Sequence, residues 1–109
     1  MAAVVTTYTL PSNPELLKQY AAKVPGWIDT AVSAPGVKEF RAYRSTDGKE
    51  VMTFCEQESV VLAEKFLASD KYKTLRSEIE KVGCSNYHVR TWDTSPLQAQ
   101  PVRPKVALA

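Results

Sequence analysis

The chain has few of the residues from which metal and cofactor sites are usually built. Its 109 residues include one histidine, two cysteines and four glycines. Cys55 and Cys84 lie far apart and, with a single histidine, cannot make up a recognisable zinc-ligand set. The glycines form neither the G-x-G-x-x-G pattern of dinucleotide-binding folds nor a P-loop. The sequence therefore predicts no bound metal, no cofactor and two free thiols.

Long apolar runs are also missing. No run approaches the roughly 20 residues that a membrane helix needs. The start, "MAAVVTTYTL", has neither the basic region nor the long apolar region of a signal peptide. We therefore expect a cytoplasmic protein with no membrane partner.

There is no large excess of charge of one sign, and the net charge of +2 comes from the end of the chain. Of the 14 Lys and Arg residues, Arg103 and Lys105 lie beyond residue 93, which leaves 12 against the 12 Asp and Glu residues before it. A nucleic-acid-binding protein needs a concentrated basic face to capture phosphates. The sequence indicates no such face, and we expect no nucleic-acid partner.

Hydrophobic periodicity and turn residues predict six elements in the order β-α-β-β-α-β. Alternating or β-branched runs predict strands over four segments, 4–10, 37–45, 50–58 and 84–93. Asp47-Gly48 between the middle two strands is typical of a tight hairpin. This order predicts an α+β, ferredoxin-like fold with an antiparallel sheet and helices on one face. We assign this domain to residues 1–93 and an extended, proline-rich arm to residues 94–109.

The first helical region begins with capping residues and contains a proline. Ser12 or Asn13 can accept hydrogen bonds from the first free amides of the helix, and Pro14 suits its first turn. Proline removes an amide donor when it lies inside a helix. We therefore expect a kink or a restart at Pro25-Gly26.

The second helical region carries a polar pair, Ser69-Asp70, within the segment "FLASDKYKTL". Apolar stripes before and after this pair point in nearly opposite directions on a helical wheel. The first stripe is Leu62, Ala63, Phe66 and Leu67, and the second is Tyr72, Leu75, Ile79 and Val82. One straight helix cannot bury both stripes against one sheet. The sequence therefore predicts separate helical pieces over 59–68 and 70–82, or one sharply bent helix, with Phe66 and Leu75 both facing the sheet.

Alternation along the strands leaves large side chains on both faces of the predicted sheet. On the second strand Arg41 and Tyr43 lie opposite Phe40, and on the last strand Trp92 lies opposite Val89. The helices can cover only one face, and an uncovered apolar face needs a partner. We therefore expect a homodimer formed through the helix-free faces, with the arm crossing onto the partner. The apolar residues of the arm that add to this contact are Leu97, Val102 and Val106.

Three segments resemble a known group of proteins. They are "APGVKEFRAYRS", "EVMTFCEQES" and "EKFLASDKYKTL", the last with a helix break of the form Leu-x-Ser-Asp-x-aromatic-Lys. Over roughly residues 4–93 the chain resembles the small dimeric α/β-barrel proteins of the antibiotic-biosynthesis-monooxygenase-like superfamily. The resemblance implies a ligand cavity between the helices and the sheet of each subunit. Members of this superfamily include cofactor-independent quinol-type monooxygenases and haem-degrading monooxygenases.

Some positions differ from the pattern of that superfamily. Phe66 stands just before the helix break, where many members carry histidine or tryptophan, and Gln57 stands where an aromatic residue is common. Both differences favour a binding role over catalysis. Haem-degrading members place their iron-ligating histidine near the positions of Leu75 and Arg76. The single histidine of this chain, His88, is on a distant strand, so we expect no haem.

The candidate site residues are one histidine, one arginine and several aromatic residues. His88 can act as a general base, because histidine ordinarily titrates near neutral pH; the alternative is a strand histidine at the dimer surface or in solvent. Tyr72 is the second catalytic candidate, since it starts the helical piece after the break. The candidate substrate-binding residues are Trp27, Arg41, Tyr43, Phe66 and Tyr72. Tyr87 and Trp92 are further aromatic residues that could line such a pocket. Ordinary packing of the aromatic residues in a core or interface, and solvation of the arginine, are the alternatives.

Two functions from different classes fit these observations. The first is a cofactor-independent, monooxygenase-like enzyme acting on a small aromatic or quinol-type substrate, whose own carbanion reacts with oxygen. The second is a non-catalytic dimer that binds a small hydrophobic or aromatic molecule, or that acts in stress or pathway regulation. A cavity lined by Tyr72 and holding a convergent polar group favours the enzyme. A cavity closed by Phe66 favours the binding role.

Overall fold

The chain folds as a four-stranded antiparallel sheet with three helices on one face. A computed structural model describes residues 1–95 together with residues 97, 102, 104 and 105. The elements in chain order are β1 (Ala2–Thr9), α1 (Pro14–Val32), β2 (Val37–Arg44), β3 (Glu50–Gln57), α2 (Val60–Ala68), α3 (Asp70–Lys81) and β4 (Ser85–Asp93). The strand order is β2-β3-β1-β4, and every neighbouring pair is antiparallel. The predicted α+β, ferredoxin-like fold is confirmed.

Helix α1 begins at the predicted capping residues. Asn13 is the cap, and its Oδ1 accepts hydrogen bonds from the backbone amides of Glu15 (2.8 Å) and Leu16 (3.2 Å). These bonds satisfy two of the amides that have no partner within the helix. The helix has 19 residues, but no helix among the described residues is long and apolar enough to cross a membrane.

The proline inside α1 does not interrupt it. The helix continues through Pro25 to its end at Val32, so it does not restart at Pro25-Gly26. The alternative part of the prediction, a kink, stays a prediction. The residues on both sides of the proline that pack in one core cluster are Leu17, Tyr20, Val24 and Trp27. Burial of this continuous stripe outweighs the single backbone hydrogen bond that the proline removes.

The predicted break between α2 and α3 is confirmed, and a single residue makes it. Ser69 has an extended backbone, with φ −74° and ψ 154°, and it ends α2 as well as capping α3. Its hydroxyl donates to the carbonyl of Phe66 (2.6 Å) and accepts from the amide of Tyr72 (3.2 Å). The change of direction lets Phe66 and Leu75 line the same cavity above the sheet.

The hairpin between β2 and β3 is also formed as predicted. Gly48 has a φ of +76°, which a glycine adopts without steric cost. Asp47 Oδ1 accepts hydrogen bonds from the hydroxyl of Ser45 (2.6 Å) and the amide of Lys49 (2.9 Å). This turn fixes the register in which Arg44 pairs with Val51, and with it the alternation of side chains along both strands.

The two faces of the sheet have different surroundings. One face lies under the helices, and the other, here called the outer face, carries no helix. The outer face consists of Ala3, Val5 and Thr7 of β1, Glu39, Arg41 and Tyr43 of β2, Met52, Phe54 and Glu56 of β3, and His88, Arg90 and Trp92 of β4. Tyr43, Met52 and Trp92 remain 48%, 40% and 50% exposed. Large apolar side chains are therefore present on both faces of the sheet.

The segment after β4 was predicted to be an arm. Leu97 and Val102 are exposed, and Val106 lies outside the described residues. The division into a domain over 1–93 and an arm over 94–109 stays a prediction.

Candidate functional site

A mostly apolar cavity of about 90 Å³ lies between the sheet and the three helices. Side chains from all four strands and all three helices line it. For scale, an engineered apolar cavity of about 150 Å³ holds one benzene molecule. The present cavity is therefore no larger than a single ring requires, and a ligand with fused rings enters only if lining side chains move.

Three of the predicted site residues come together in this cavity. Trp27 of α1, Phe66 of α2 and Tyr72 of α3 all line it. Trp27 also donates a hydrogen bond from Nε1 to Glu78 Oε2 (3.3 Å), which ties α1 to α3. The ring of Phe66 meets the ring of Tyr72 edge-on, with centroids 5.4 Å apart.

The other three predicted site residues lie outside the cavity. Arg41, Tyr43 and His88 are on the outer face, separated from the cavity by the sheet itself. Arg41 is held by Glu39, with an Nη2 to Oε2 distance of 2.9 Å. The two catalytic candidates, His88 and Tyr72, therefore lie on opposite sides of the sheet and cannot reach one ligand within a single subunit.

Sequence reasoning missed two tyrosines that line the cavity, Tyr8 and Tyr20, and it placed Tyr87 only among the aromatic residues that could line a pocket. The hydroxyls of Tyr72 and Tyr87 are 2.8 Å apart, and those of Tyr8 and Tyr20 are 2.7 Å apart. The rings of Tyr8 and Tyr87 stack with centroids 5.9 Å apart and planes 5° from parallel. Tyr87 alternates with His88 on β4, and the strand pattern left open which of these two faces the helices cover.

Burial keeps the tyrosines of the cavity in their neutral form. It is the main cause that raises the pKa of Tyr8, Tyr20, Tyr72 and Tyr87 above the ordinary value of 10.0. Arg76 opposes this at one end: its guanidinium lies 4.5 Å from the centroid of the Tyr87 ring and acts to lower the pKa of Tyr72 and Tyr87. The cavity thus offers neutral hydroxyl groups with a cation close to one pair of them.

Alkaline pH should unfold the protein through these tyrosines. Because their pKa values are raised in the folded state, the folded chain keeps protons that the unfolded chain releases near pH 10. Stability should be unaffected by these groups below pH 10 and should fall above it, by at most about 1.4 kcal/mol per pH unit for each tyrosine. Tyrosinate absorbance and circular dichroism, recorded together during a titration, should change in one step. Ionisation of all the tyrosines in a chain that keeps its folded spectrum would contradict this expectation.

A glutamine and a thiol lie beside each other in the cavity wall on β3. Gln57 is fully buried, and its Nε2 donates to Cys55 Sγ (3.5 Å). Gln57 Oε1 has no hydrogen-bond partner among the described residues. Burial raises the pKa of the Cys55 thiol, and it raises the pKa of the Cys84 thiol to about 11. Both cysteines are free and buried, and their neutral thiols are poor nucleophiles.

The described residues contain no cluster of three or more His, Cys, Asp or Glu side chains placed to hold a metal ion. Among the residues that the structure describes, the cavity wall contains no aspartate, glutamate or histidine. Its polar side chains are the tyrosines, two threonines, Cys55 and Gln57. Hydrogen bonding to neutral groups is therefore the chemistry that this wall can supply.

Solved structures resemble this chain, although no protein-family model and no curated protein matches it. A proposed antibiotic biosynthesis monooxygenase from Deinococcus radiodurans is similar with a TM-score of 0.76 at 7% identity, over 95% of this chain and 100% of that one. SnoaB, a cofactor-independent oxygenase from Streptomyces nogalater, is similar with a TM-score of 0.67 at 11% identity, over 91% and 97% of the two chains.

A structure with a different description shares the same fold. A protein of the ethyl tert-butyl ether d family from Bacillus halodurans is similar with a TM-score of 0.65 at 12% identity, over 87% of this chain and 99% of that one. At such identities the likeness shows the fold alone. The chain has the fold of these proteins, which is the fold that the resemblance of its three segments implied.

Proposed function

We propose that this chain is a cofactor-independent, monooxygenase-like protein that acts on a small aromatic or quinol-type molecule bound in the cavity. The observation that carries the proposal is the cavity itself: a mostly apolar space of about 90 Å³, whose wall includes Tyr72 and Tyr87 with their hydroxyls 2.8 Å apart. A convergent polar group beside Tyr72 is the feature that favours an enzyme over a structural role. The fold shared with a cofactor-independent oxygenase supports the same reading.

The chemistry that fits such a cavity draws its electrons from the substrate. The substrate gives a proton to the solvent and becomes an anion, and this anion gives its electrons to O2 as a carbon–oxygen bond forms. The oxygen–oxygen bond then breaks, one oxygen atom stays on the substrate carbon, and the other leaves as water with the two hydrogen atoms that the substrate gives up. The protein contributes a dry space, which strengthens every charge interaction within it.

Tyr72 and Arg76 have the roles that this reaction needs from the chain. The Tyr72 hydroxyl can donate a hydrogen bond to the oxygen of the substrate anion, while Tyr87 holds Tyr72 in place. The positive charge of Arg76, which is itself bonded to Glu80 (3.0 Å), stabilises an anion at this end of the cavity. We place Trp27 and Phe66 as the apolar walls on either side of the ring.

Oxygen consumption with a panel of hydroquinones and polycyclic phenols tests the proposal, beside a control without protein. We expect single-ring hydroquinones to be consumed and fused-ring phenols to react slowly, because the cavity is small. Tyr72→Phe should lower the rate by about 10²-fold or more if its hydroxyl serves the reacting anion. Tyr43→Phe is the matched control, since Tyr43 lies on the outer face, and it should keep the rate.

Two results of the oxygen-consumption measurements would contradict the proposal. Consumption that is equal with and without protein would remove the enzymatic function. A loss of rate in His88→Ala but not in Tyr72→Phe would move the reaction to the outer face, as the sequence first allowed.

A second function, binding without catalysis, is favoured by one observation. Burial raises the pKa of every tyrosine and thiol in the cavity wall, so none is an ionised base near neutral pH. A protein of this kind would hold a small hydrophobic or aromatic molecule and return it unchanged. Saturable binding of single-ring phenols with no oxygen consumption would support it.

We also propose that the chain is a homodimer in the cytoplasm, joined through the outer faces. Tyr43, Met52 and Trp92 remain exposed there, and a second copy can cover them by two-fold symmetry. The exposed Leu97 and Val102 of the arm are available to extend the contact. Two buried free thiols, Cys55 and Cys84, suit a reducing compartment.

A further inference from the structure

Gln57 carries a polar atom that nothing in the described chain satisfies. Its side chain is fully buried and lines the cavity, and Oε1 has no hydrogen-bond partner among the described residues. Nε2 is used by the contact with Cys55 Sγ. Buried side-chain oxygens are almost always hydrogen-bonded, so an exception beside a cavity points to a group that the bound state supplies.

The surroundings of Gln57 are apolar, which increases the energetic cost of its unpaired oxygen. The apolar cluster at this end of the cavity consists of Ala2, Val4, Cys55 and Ala63, and Gln57 pairs with Ala2 across the sheet. In such surroundings an unpaired amide oxygen destabilises the folded chain, whereas an apolar side chain of the same shape does not. The stability of the folded chain therefore does not explain why residue 57 is a glutamine. Recognition of a ligand by its side-chain oxygen would explain it.

The chemical type of the free atom decides what it can recognise. A carbonyl oxygen only accepts hydrogen bonds, so its partner must be an O–H or an N–H. A phenol or a hydroquinone presents an O–H. The quinone or ether of the same ring presents only acceptors, and its oxygen would lie against Oε1 without a bond.

We propose that Gln57 Oε1 is the acceptor that selects the hydroxylated, reduced form of an aromatic ligand over its oxidised or methylated form. This inference rests on the proposed function where it says that the ligand is then oxidised. In that reaction the hydroxyl that Gln57 holds becomes a carbonyl, the hydrogen bond is lost, and binding of the product is weakened. One residue thereby selects the substrate and favours release of the product.

Phenol and toluene are the probes that test this inference, because they have nearly the same shape and differ in the donor group. Their dissociation constants are measured by calorimetry for the wild-type chain and for Gln57→Met, which keeps the unbranched shape without the carbonyl. We expect the preference for phenol relative to toluene to fall by about 5- to 150-fold in the variant, because its phenol hydroxyl is left unpaired. Glu58→Gln changes a neighbouring exposed residue and should leave the ratio unchanged.

Stability gives a readout that is independent of the ligand. Without ligand, Gln57→Met should melt a few degrees above the wild-type chain, because an unpaired buried oxygen has been removed. Gln57→Leu provides a second apolar shape if the methionine variant does not fold. If neither variant folds, the dissociation constants of phenol and toluene for the wild-type chain test the inference. An apolar cavity without a hydrogen-bond acceptor should bind toluene more than tenfold more tightly than phenol, and that result would overturn the inference.

The outcomes separate this inference from the proposed function. A ratio that does not change in Gln57→Met overturns the inference, even if hydroquinones are still consumed with oxygen. A ratio that falls as expected supports it, and it does so even if no phenol in the panel is oxidised, in which case only the oxygenase function fails.

Discussion

Replacing Trp27 with alanine should lower the free energy of unfolding by about 3–5 kcal/mol. The Trp27 side chain is only 9% exposed and belongs to the larger core cluster. Its ring meets that of Tyr20 edge-on with centroids 5.7 Å apart, and its Nε1 bonds to Glu78. The loss is large beside the total stability of a small domain, about 5–15 kcal/mol. Urea denaturation followed by circular dichroism measures it.

Two matched variants show which part of the Trp27 contact matters. Trp27→Phe keeps most of the buried ring but removes the bond to Glu78, so it should cost less than the alanine variant. Val61→Ala removes a side chain that is 61% exposed on α2 and should change stability by no more than about 0.5 kcal/mol. If Trp27→Ala also changed the free energy of unfolding by no more than about 0.5 kcal/mol, Trp27 would not be an important core residue. Its hydrogen bond to Glu78 would then contribute little to holding α1 against α3.

The fold could be predicted from patterns formed by residues that are close together in the sequence. The break at Ser69 follows from a capping side chain and two apolar stripes of different phase, and the hairpin follows from Asp47-Gly48. Both features are decided by residues that are neighbours in the sequence, so they can be read without knowing the tertiary structure. Pro25 shows the limit of such reasoning, because packing of α1 along its whole length overrides a local helix breaker.

The candidate site could be predicted only in part. Alternation sorts the residues of a strand onto two faces, but it does not show which face packs against the helices. The sequence separates Tyr87 from His88 on β4, but both faces carry large residues and nothing local says which face meets the helices. His88 was chosen as a catalytic candidate because it is the single histidine, whereas Tyr87, which lines the cavity, was only one of several aromatic residues that could line a pocket. Gln57 was noticed only as a departure from the superfamily pattern, whereas its free carbonyl oxygen depends on contacts from several elements.

The outer face has the charges and the apolar centre that a two-fold interface needs. In the register of the sheet, Phe54 lies between Arg41 on β2 and Val5 on β1, and Arg90 follows on β4. The next row along the strands includes Glu56, so the face carries both signs of charge. Two copies related by a two-fold axis can therefore set basic groups of one against acidic groups of the other around an apolar centre. An obligate interface commonly buries about 2,000 Å² or more in total, and one sheet face with the arm can supply much of this area.

Phe54→Asp should convert the proposed dimer to a monomer. Phe54 is half-buried at the centre of the outer face, and two-fold symmetry would place two aspartates in the interface. Each unpaired buried charge costs about 3–5 kcal/mol, so the dissociation constant should rise by about four orders of magnitude or more. Light scattering at micromolar concentration should give about twice the chain mass of 12.1 kDa for the wild type and the single mass for the variant. Val61→Asp places the same charge on an exposed part of α2 and should stay dimeric.

A wild-type chain that is monomeric and folded at this concentration would rule out the dimer. A Phe54→Asp variant that remains dimeric would move the interface away from the outer face, and Tyr43 and Trp92 would then have to be exposed for another reason.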